Sequence, residues 1–235
     1  VDVTLAGDVA DTAHVGSFRI LLQSPSSIEA RDAISRDSVA VAYVSSPIGG
    51  PVVHVESEAE AIRVRGTALF PSSVQAGERD VPAALLMLRH PGGPGTGRLR
   101  LDSLFVQVRD ETRTQQAPDA YLDRLRVFIE GVEVADLTSL PPVSGVIPVA
   151  LGGGWIDPGD TVQVRLVVDI SPSAPASFLE VAVGGSGLRA ADANTGQVVR
   201  VEPETGTDLP MVSGLTRITS PSRDRPRFPA VVTIL

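Results

Sequence analysis

The chain of 235 residues is acidic, with 28 Asp and Glu against 20 Lys and Arg, a formal net charge of −8, and no cysteine. The charge argues against nucleic acid and an anionic membrane surface as partners, since both require clustered cations. The lack of cysteine excludes disulfides, thiolate zinc sites and cysteine nucleophiles, and the lack of lysine excludes Schiff-base chemistry and a lysine-bearing phosphate loop.

The first residues, VDVTLAGD, contain neither an initiator Met nor a basic leader segment. Removal of a signal peptide is the interpretation that we favour, which predicts an extracellular or cell-surface location. No apolar run approaches the roughly 20 residues that cross a bilayer, so membrane insertion is not predicted.

Short segments in which apolar and polar residues alternate run along the chain. The clearest are EAIRVRGTALF (60–70), RLRLDSLFVQVRD (98–110), RLRVFIEGVEVADL (124–137), TVQVRLVVDI (161–170) and QVVRVE (197–202). Period-two alternation between Gly, Pro, Asp and Ser is typical of half-buried antiparallel strands. Only 26–35 and 117–125 could form a turn or two of helix. The predicted fold class is all-β, an antiparallel β-sandwich with immunoglobulin-like or Greek-key connections.

An internal repeat indicates that such modules stand in tandem. Ser17–Val41 aligns without a gap on Ser177–Val201 at an offset of 160, with 8 of 25 residues identical. Just upstream, residues 1–9 align on residues 162–170 with 4 of 9 identical. Because repeated segments fold as equivalent units, the chain is predicted to hold one complete module and one partial module.

The repeat divides the chain into three predicted parts. Residues 1–58 are the C-terminal part of a first sandwich repeat, or strands exchanged with a neighbour, and residues 59–218 are one complete module. Residues 219–235 are a Pro-rich linker and a terminal strand, which either folds back on its own module or pairs with another. The predicted self-assembly strand consists of Val231, Val232, Thr233, Ile234 and Leu235.

The segment AADANTGQVVRV (190–201) has the spacing of the first ligands of a calcium loop, at Asp192, Asn194 and Gly196. Its repeat, ARDAISRDSVAV, keeps the aspartate as Asp32 but places Ile and Arg at the next two ligand positions. Those side chains do not bind calcium, so we predict a turn in which Asp bonds the backbone, and no metal site.

Trp155 is the single tryptophan, and it lies in GGGWIDPGD beside a run of three glycines. Sugar faces pack on aromatic rings, so Trp155 is a candidate ligand contact in a carbohydrate-binding face. The alternative is a tryptophan that caps the sandwich beside the turn at 157–160. The low aromatic content, 4%, favours the second interpretation.

The remaining motifs favour structure over catalysis. RHPGGPGTGRLRL (89–101) is rich in glycine without a lysine or a following helix, which predicts a long, mobile hairpin loop. The three histidines, His14, His54 and His90, lack metal-ligand spacing and are predicted to lie at the surface. GGSGLR (184–189) lacks the spacing of a serine-hydrolase elbow. We therefore predict no catalytic residue, no metal ligand and no cofactor.

Two strand openings carry a resemblance to a known class of modules. IDPGDTVQVRLVVDI (156–170) resembles the Pro-Gly-Asp-Thr-Val strand openings of bacterial extracellular immunoglobulin-like and cohesin-like modules, and VQAGERDVPAALLMLRH (74–90) is similar. The resemblance implies a secreted, non-catalytic sandwich used for spacing, adhesion or assembly.

These observations predict a non-enzymatic extracellular structural protein that assembles into a filament or array through β-strand complementation. The predicted partners are copies of itself or adjacent modules of the same polypeptide. The alternative is an adhesin or carbohydrate-binding module of a larger surface protein, with a glycan as partner.

Overall fold

The structure is a computed structural model that describes residues 16–22, 28–41, 48–143, 145–204 and 209–220. The chain divides into two compact units, Val1–Ser57 and Glu58–Leu235. His14 and the predicted self-assembly strand Val231–Leu235 lie outside the described residues. The predicted assignment of the first unit to a partial sandwich repeat stays a prediction.

The described part of Val1–Ser57 contains three two-stranded antiparallel sheets, which we together call the ribbon. Its strands are β1 (Gly16–Phe18), β2 (Leu21–Leu22), β3 (Ala30–Arg31), β4 (Ser38–Val39), β5 (Ile48–Gly49) and β6 (Val53–Val55). They pair in nested order, β1 with β6, β2 with β5 and β3 with β4, about the turn at 32–37. No described side chain of this ribbon is buried, because two strands alone cannot enclose a core.

The described residues of Glu58–Leu235 form two sheets of six strands. Sheet I has the order β12-β11-β14-β9-β7-β16, and sheet II has the order β13-β10-β15-β18-β8 with β17 beside β15. The sheet I strands are β7 (Ala61–Ala68), β9 (Val81–Arg89), β11 (Leu122–Ile129), β12 (Val132–Leu137), β14 (Thr161–Ile170) and β16 (Arg200–Pro203). Those of sheet II are β8 (Ser73–Gln75), β10 (Leu99–Arg109), β13 (Val146–Ile156), β15 (Phe178–Asp192), β17 (Met211–Val212) and β18 (Thr216–Thr219).

The alternating segments form strands where the sequence predicts them. The segments 60–70, 98–110 and 161–170 become β7, β10 and β14. The segment 124–137 folds as two strands, β11 and β12, because Glu130 and Gly131 both have positive φ, 49° and 81°, as a tight hairpin turn requires. Helix forms only at α1 (Pro118–Tyr121) among the described residues.

One hydrophobic core is shared by the two sheets. Every second side chain along the long strands is buried, for example Ile62 and Val64 of β7 and Leu99 and Leu101 of β10. Each buried aliphatic side chain of this size contributes about 1.5 to 3 kcal/mol. The all-β prediction is confirmed for the described residues, and the core holds Glu58–Leu235 together without a disulfide.

The sheets are of mixed orientation. β16 runs parallel to β7, and β18 runs parallel to β8, whereas the other strand pairs of this unit are antiparallel. A parallel pair needs a crossover between its strands, and here the chain visits the other sheet in between. The sequence predicted antiparallel pairing throughout, and this prediction does not hold for β16 with β7 or for β18 with β8. Alternation of apolar and polar residues carries no information about strand direction.

The glycine-rich segment after β9 is a crossover between the sheets. β9 belongs to sheet I and β10 to sheet II, so residues 90–98 connect the two layers. The prediction of a hairpin loop is wrong at this point, because a hairpin requires that the flanking strands pair with each other. Local hydrogen bonds, such as Thr96 N–H to the carbonyl of Gly93 at 3.2 Å, fold the segment on itself.

Candidate functional site

Asp192 lies at the corner where the chain leaves β15 of sheet II and turns toward β16 of sheet I. Its Oδ1 accepts from the backbone N–H of Asn194 at 2.9 Å and of Thr195 at 2.8 Å. Its Oδ2 accepts from the N–H of Ala59 at 2.8 Å, just ahead of β7. The side chain is fully buried, so one carboxylate fastens the corner to the start of a strand in the other sheet.

The same turn recurs in the ribbon of the first unit. Asp32 Oδ1 accepts from the N–H of Ile34 at 2.9 Å and of Ser35 at 2.8 Å, matching the Asp192 bonds. The left-handed position is Gly196 in one turn, with φ of 74°, and Arg36 in the other, with φ of 65°. The predicted backbone-bonding turn is confirmed in both copies.

These hydrogen bonds lower the pKa of the Asp192 carboxyl group. Burial raises its pKa, but the N–H donors of Ala59, Thr195 and Asn194 outweigh burial, and the pKa lies below its ordinary value. Both oxygens of the carboxylate face N–H groups, which is an arrangement for holding backbone. No group of three or more His, Asp or Glu placed to hold a metal ion occurs among the described residues.

His90 stabilises the crossover between β9 and β10, which passes close to Asp192. Its Nδ1 accepts from the N–H of Gly92 at 3.0 Å, so its Nε2 carries the proton and donates to the carbonyl of Gly97 at 2.8 Å. A Cβ on Gly97 would lie 2.5 Å from Asp192 Oδ2. The prediction that His90 lies at the surface is wrong, since its exposure is 1%. His54 lies exposed in β6, as predicted.

The longer of the two edge strands of sheet II is β13. Among the described strands it pairs with β10 on one side only, and it is 11 residues long. Val146 and Trp155 are exposed on its outer face, whereas Gly152 and Gly153 have positive φ and bend the strand near its end. A long apolar edge strand offers unpaired backbone groups to another chain.

Trp155 is 53% exposed near the end of this edge. Its cross-strand neighbour is Arg100, whose Nε donates to Asp102 Oδ1 at 2.7 Å. The nearest aromatic residue along β10 on the same face is Phe105, about 15 Å away at the usual rise of a strand. β10 therefore places no aromatic ring beside Trp155.

A bulge in β15 lies beside Phe105 of β10, several residues along β10 from the neighbour of Trp155. The pairing of β10 with β15 jumps from Leu104–Leu188 to Val106–Val183, so residues 184–187 bulge out of the ladder. A Cβ on Gly187 would lie 2.9 Å from the carbonyl oxygen of Phe105, which explains a glycine there. A depression of about 310 Å³ lies beside the bulge, and the guanidinium of Arg189 sits 5.2 Å from the centre of the Phe105 ring.

No helix among the described residues is long and apolar enough to span a membrane. No family model matches this sequence, and no curated protein matches it. A similar solved structure is that of AvmM, which catalyses macrocyclization in alchivemycin A biosynthesis. It is 12% identical over 70% of this chain and 93% of AvmM, with a TM-score of 0.36. A similarity at this level does not establish a shared fold or activity.

Proposed function

We propose that this protein is a non-enzymatic structural module of the extracellular space or a cell surface, which assembles with copies of itself into filaments or arrays through strand pairing. In this proposal Glu58–Leu235 is an immunoglobulin-like β-sandwich, and the ribbon of Val1–Ser57 pairs with a neighbouring copy. The observation that carries the proposal is that no described side chain of the ribbon is buried.

An isolated two-stranded ribbon is marginally stable in water, so a ribbon of this kind gains stability from a partner. Phe18 and Val53 lie directly opposite each other across β1 and β6, and they are 41% and 40% exposed. Further large apolar side chains exposed on the ribbon are Ile20, Leu21, Ile28, Ile34, Val39 and Val52. Covering such a surface is favourable at about 25 cal/mol per Å².

The internal repeat favours a second copy as the partner. Ser17–Val41 corresponds to Ser177–Val201, whose strand β15 lies between β10 and β18 in sheet II. Each described strand of the ribbon pairs with one other strand only, whereas β15 has a partner on both sides. A second copy offers an open edge at β13, where an added strand would extend sheet II by backbone hydrogen bonds. The predicted self-assembly strand Val231–Leu235, which lies outside the described residues, is a second proposed donor.

The test compares charged substitutions on the ribbon and on the edge with a matched control. Phe18→Lys with Val53→Lys, and separately Ala150→Lys on β13, are expected to yield monomers by light scattering and no filaments by electron microscopy. The control carries Val143→Lys with Val198→Lys, two exposed apolar residues elsewhere in Glu58–Leu235, and is expected to assemble like the wild type.

Trp155 gives a second readout, because it is the single tryptophan and lies on the proposed acceptor strand. Its emission is expected to shift to shorter wavelength with protein concentration in the wild type, and to stay constant in the ribbon variant. A wild type that stays monomeric, or a ribbon variant that assembles as the wild type does, contradicts the proposal. Quenching by a glycan instead of by assembly would favour the carbohydrate-binding alternative.

A further inference from the structure

Three arginines lie together on the outer face of sheet I. Arg63 and Arg65 occupy successive outward positions of β7, since Val64 between them is buried in the core. Arg89 of β9 lies directly opposite Arg63, and Met87 lies opposite Arg65. Like charges directly across a strand pair repel each other. Glu202 of β16 lies beside Arg63 on the other side of β7, but it pairs with Arg200 and not with Arg63.

Other arginines of the same sheet are compensated within the protein. Arg124 of β11 donates to Asp136 through Nε at 2.6 Å and Nη2 at 2.5 Å. Arg126 donates to Asp169 at 3.2 Å. By contrast, Arg63, Arg65 and Arg89 form no ion pair with any described residue, although the protein as a whole carries a net charge of −8.

Two of these arginines, Arg65 and Arg89, border a depression of about 420 Å³, which we call the arginine depression. Its lining residues are Arg65, Met87, Arg89, Gly159, Thr161 and Glu204. The volume falls in the range of small-ligand sites. The wall at Gly159 is fixed by the crossover, because its N–H donates to the carbonyl of His90 at 3.2 Å and the N–H of His90 donates to the carbonyl of Asp160 at 2.9 Å.

The lining combines three kinds of chemistry. Two guanidinium groups provide planar forks for an oxyanion, and Arg binds carboxylates with two parallel hydrogen bonds. The Glu204 carboxylate accepts hydrogen bonds and repels a ligand of purely negative charge, and the Thr161 hydroxyl both donates and accepts. Met87 adds a half-buried apolar surface. A ligand that fits all of these groups carries a carboxylate, several hydroxyls and an apolar face.

We propose that the arginine depression binds an acidic sugar, that is, a saccharide unit bearing a carboxylate. Arg65 and Arg89 hold the carboxylate, Glu204 and Thr161 bond the hydroxyls, and the ring lies against Met87. The site is on sheet I and is separate from the strand edge at β13 of sheet II. The binding proposal can therefore be tested independently of the proposed assembly.

The experiment titrates the full chain with a trimer of galacturonic acid in a calorimeter, beside a neutral galactose trimer and citrate. We expect binding of the galacturonic acid trimer, weakened about tenfold or more by Arg65→Gln and by Arg89→Gln, because each removes one charge-assisted contact. Glu204→Ala, which removes the acceptor for the hydroxyls, is expected to weaken the sugar but not citrate. The matched control is Arg217→Gln, an exposed strand arginine of sheet II, which is expected to leave affinity unchanged.

Three results overturn the proposal. The first is no binding of the galacturonic acid trimer, or equal binding of the neutral trimer. The second is equal weakening by Arg217→Gln, which would show non-specific attraction. The third is citrate binding as tight as that of the sugar with the same losses at Arg65 and Arg89, which would show a simple anion site. Unchanged melting temperatures of the variants establish that each exposed substitution leaves the fold intact.

Discussion

Replacing Asp192 by Ala tests the claim that one buried carboxylate joins the two sheets. The change leaves the N–H groups of Ala59, Asn194 and Thr195 without their acceptor. An orphaned buried donor such as Ala59 N–H costs about 1 to 3 kcal/mol, and the two turn donors, which lie nearer the solvent, add about 1 kcal/mol. We therefore expect a loss of about 2 to 4 kcal/mol in the free energy of unfolding.

Thermal and urea unfolding followed by circular dichroism measure this loss. For a unit of this size the melting temperature is expected to fall by about 4 to 16 °C. The matched control is Asp32→Ala, which removes the same turn bonds where the donors are exposed to water, and its cost on the main transition is expected to stay within about 0.5 kcal/mol. Equal costs at the two aspartates, or a cost below about 1 kcal/mol for Asp192→Ala, would refute the reasoning.

Two further predictions concern the same corner. Gly97→Ala is expected to destabilise the protein by about 1 to 3 kcal/mol in urea unfolding, because its Cβ would lie 2.5 Å from Asp192 Oδ2, and Gly93→Ala, whose Cβ meets nothing within 4 Å, serves as the control. The second prediction is acid sensitivity. The folded pKa of Asp192 is lowered, so its contribution to stability is present above its unfolded pKa near 3.8 and is lost as the pH falls through the lower folded pKa. Melting temperatures between pH 7 and pH 2.5 are expected to drop in the acid range less steeply for Asp192→Asn than for the wild type, and parallel curves would contradict this.

Local patterns predicted several of the long strands, although β13 and β15 are not among the alternating segments. Alternation located β7, β10 and β14 within a few residues, because a strand with one buried face needs an apolar residue at every second position. The turn at Asp192 was also predictable, since the bonds from its carboxylate reach N–H groups only two and three residues ahead.

The sequence patterns did not predict the long-range contacts. The hydrogen bond from Ala59 N–H to Asp192 joins residues 133 positions apart, and no local sequence pattern predicts it. The burial of His90 likewise depends on a crossover that folds back on its side chain, and nothing in RHPGGPG distinguishes that arrangement from an exposed loop. The arginine depression forms from β7, β9, the first residue of β14 with the turn before it, and the residue after β16, which only the tertiary fold brings together.

The sequence by itself determined the all-β class, the positions of β7, β10 and β14 and the repeated aspartate turn, because these depend on interactions between residues close in the chain. The tertiary structure decided which strands pair, that β7 with β16 and β8 with β18 run parallel, and which polar side chains are buried. The physical reason is that alternation specifies which face of a strand is buried but not which strand lies beside it. Partner choice depends on how the whole core packs.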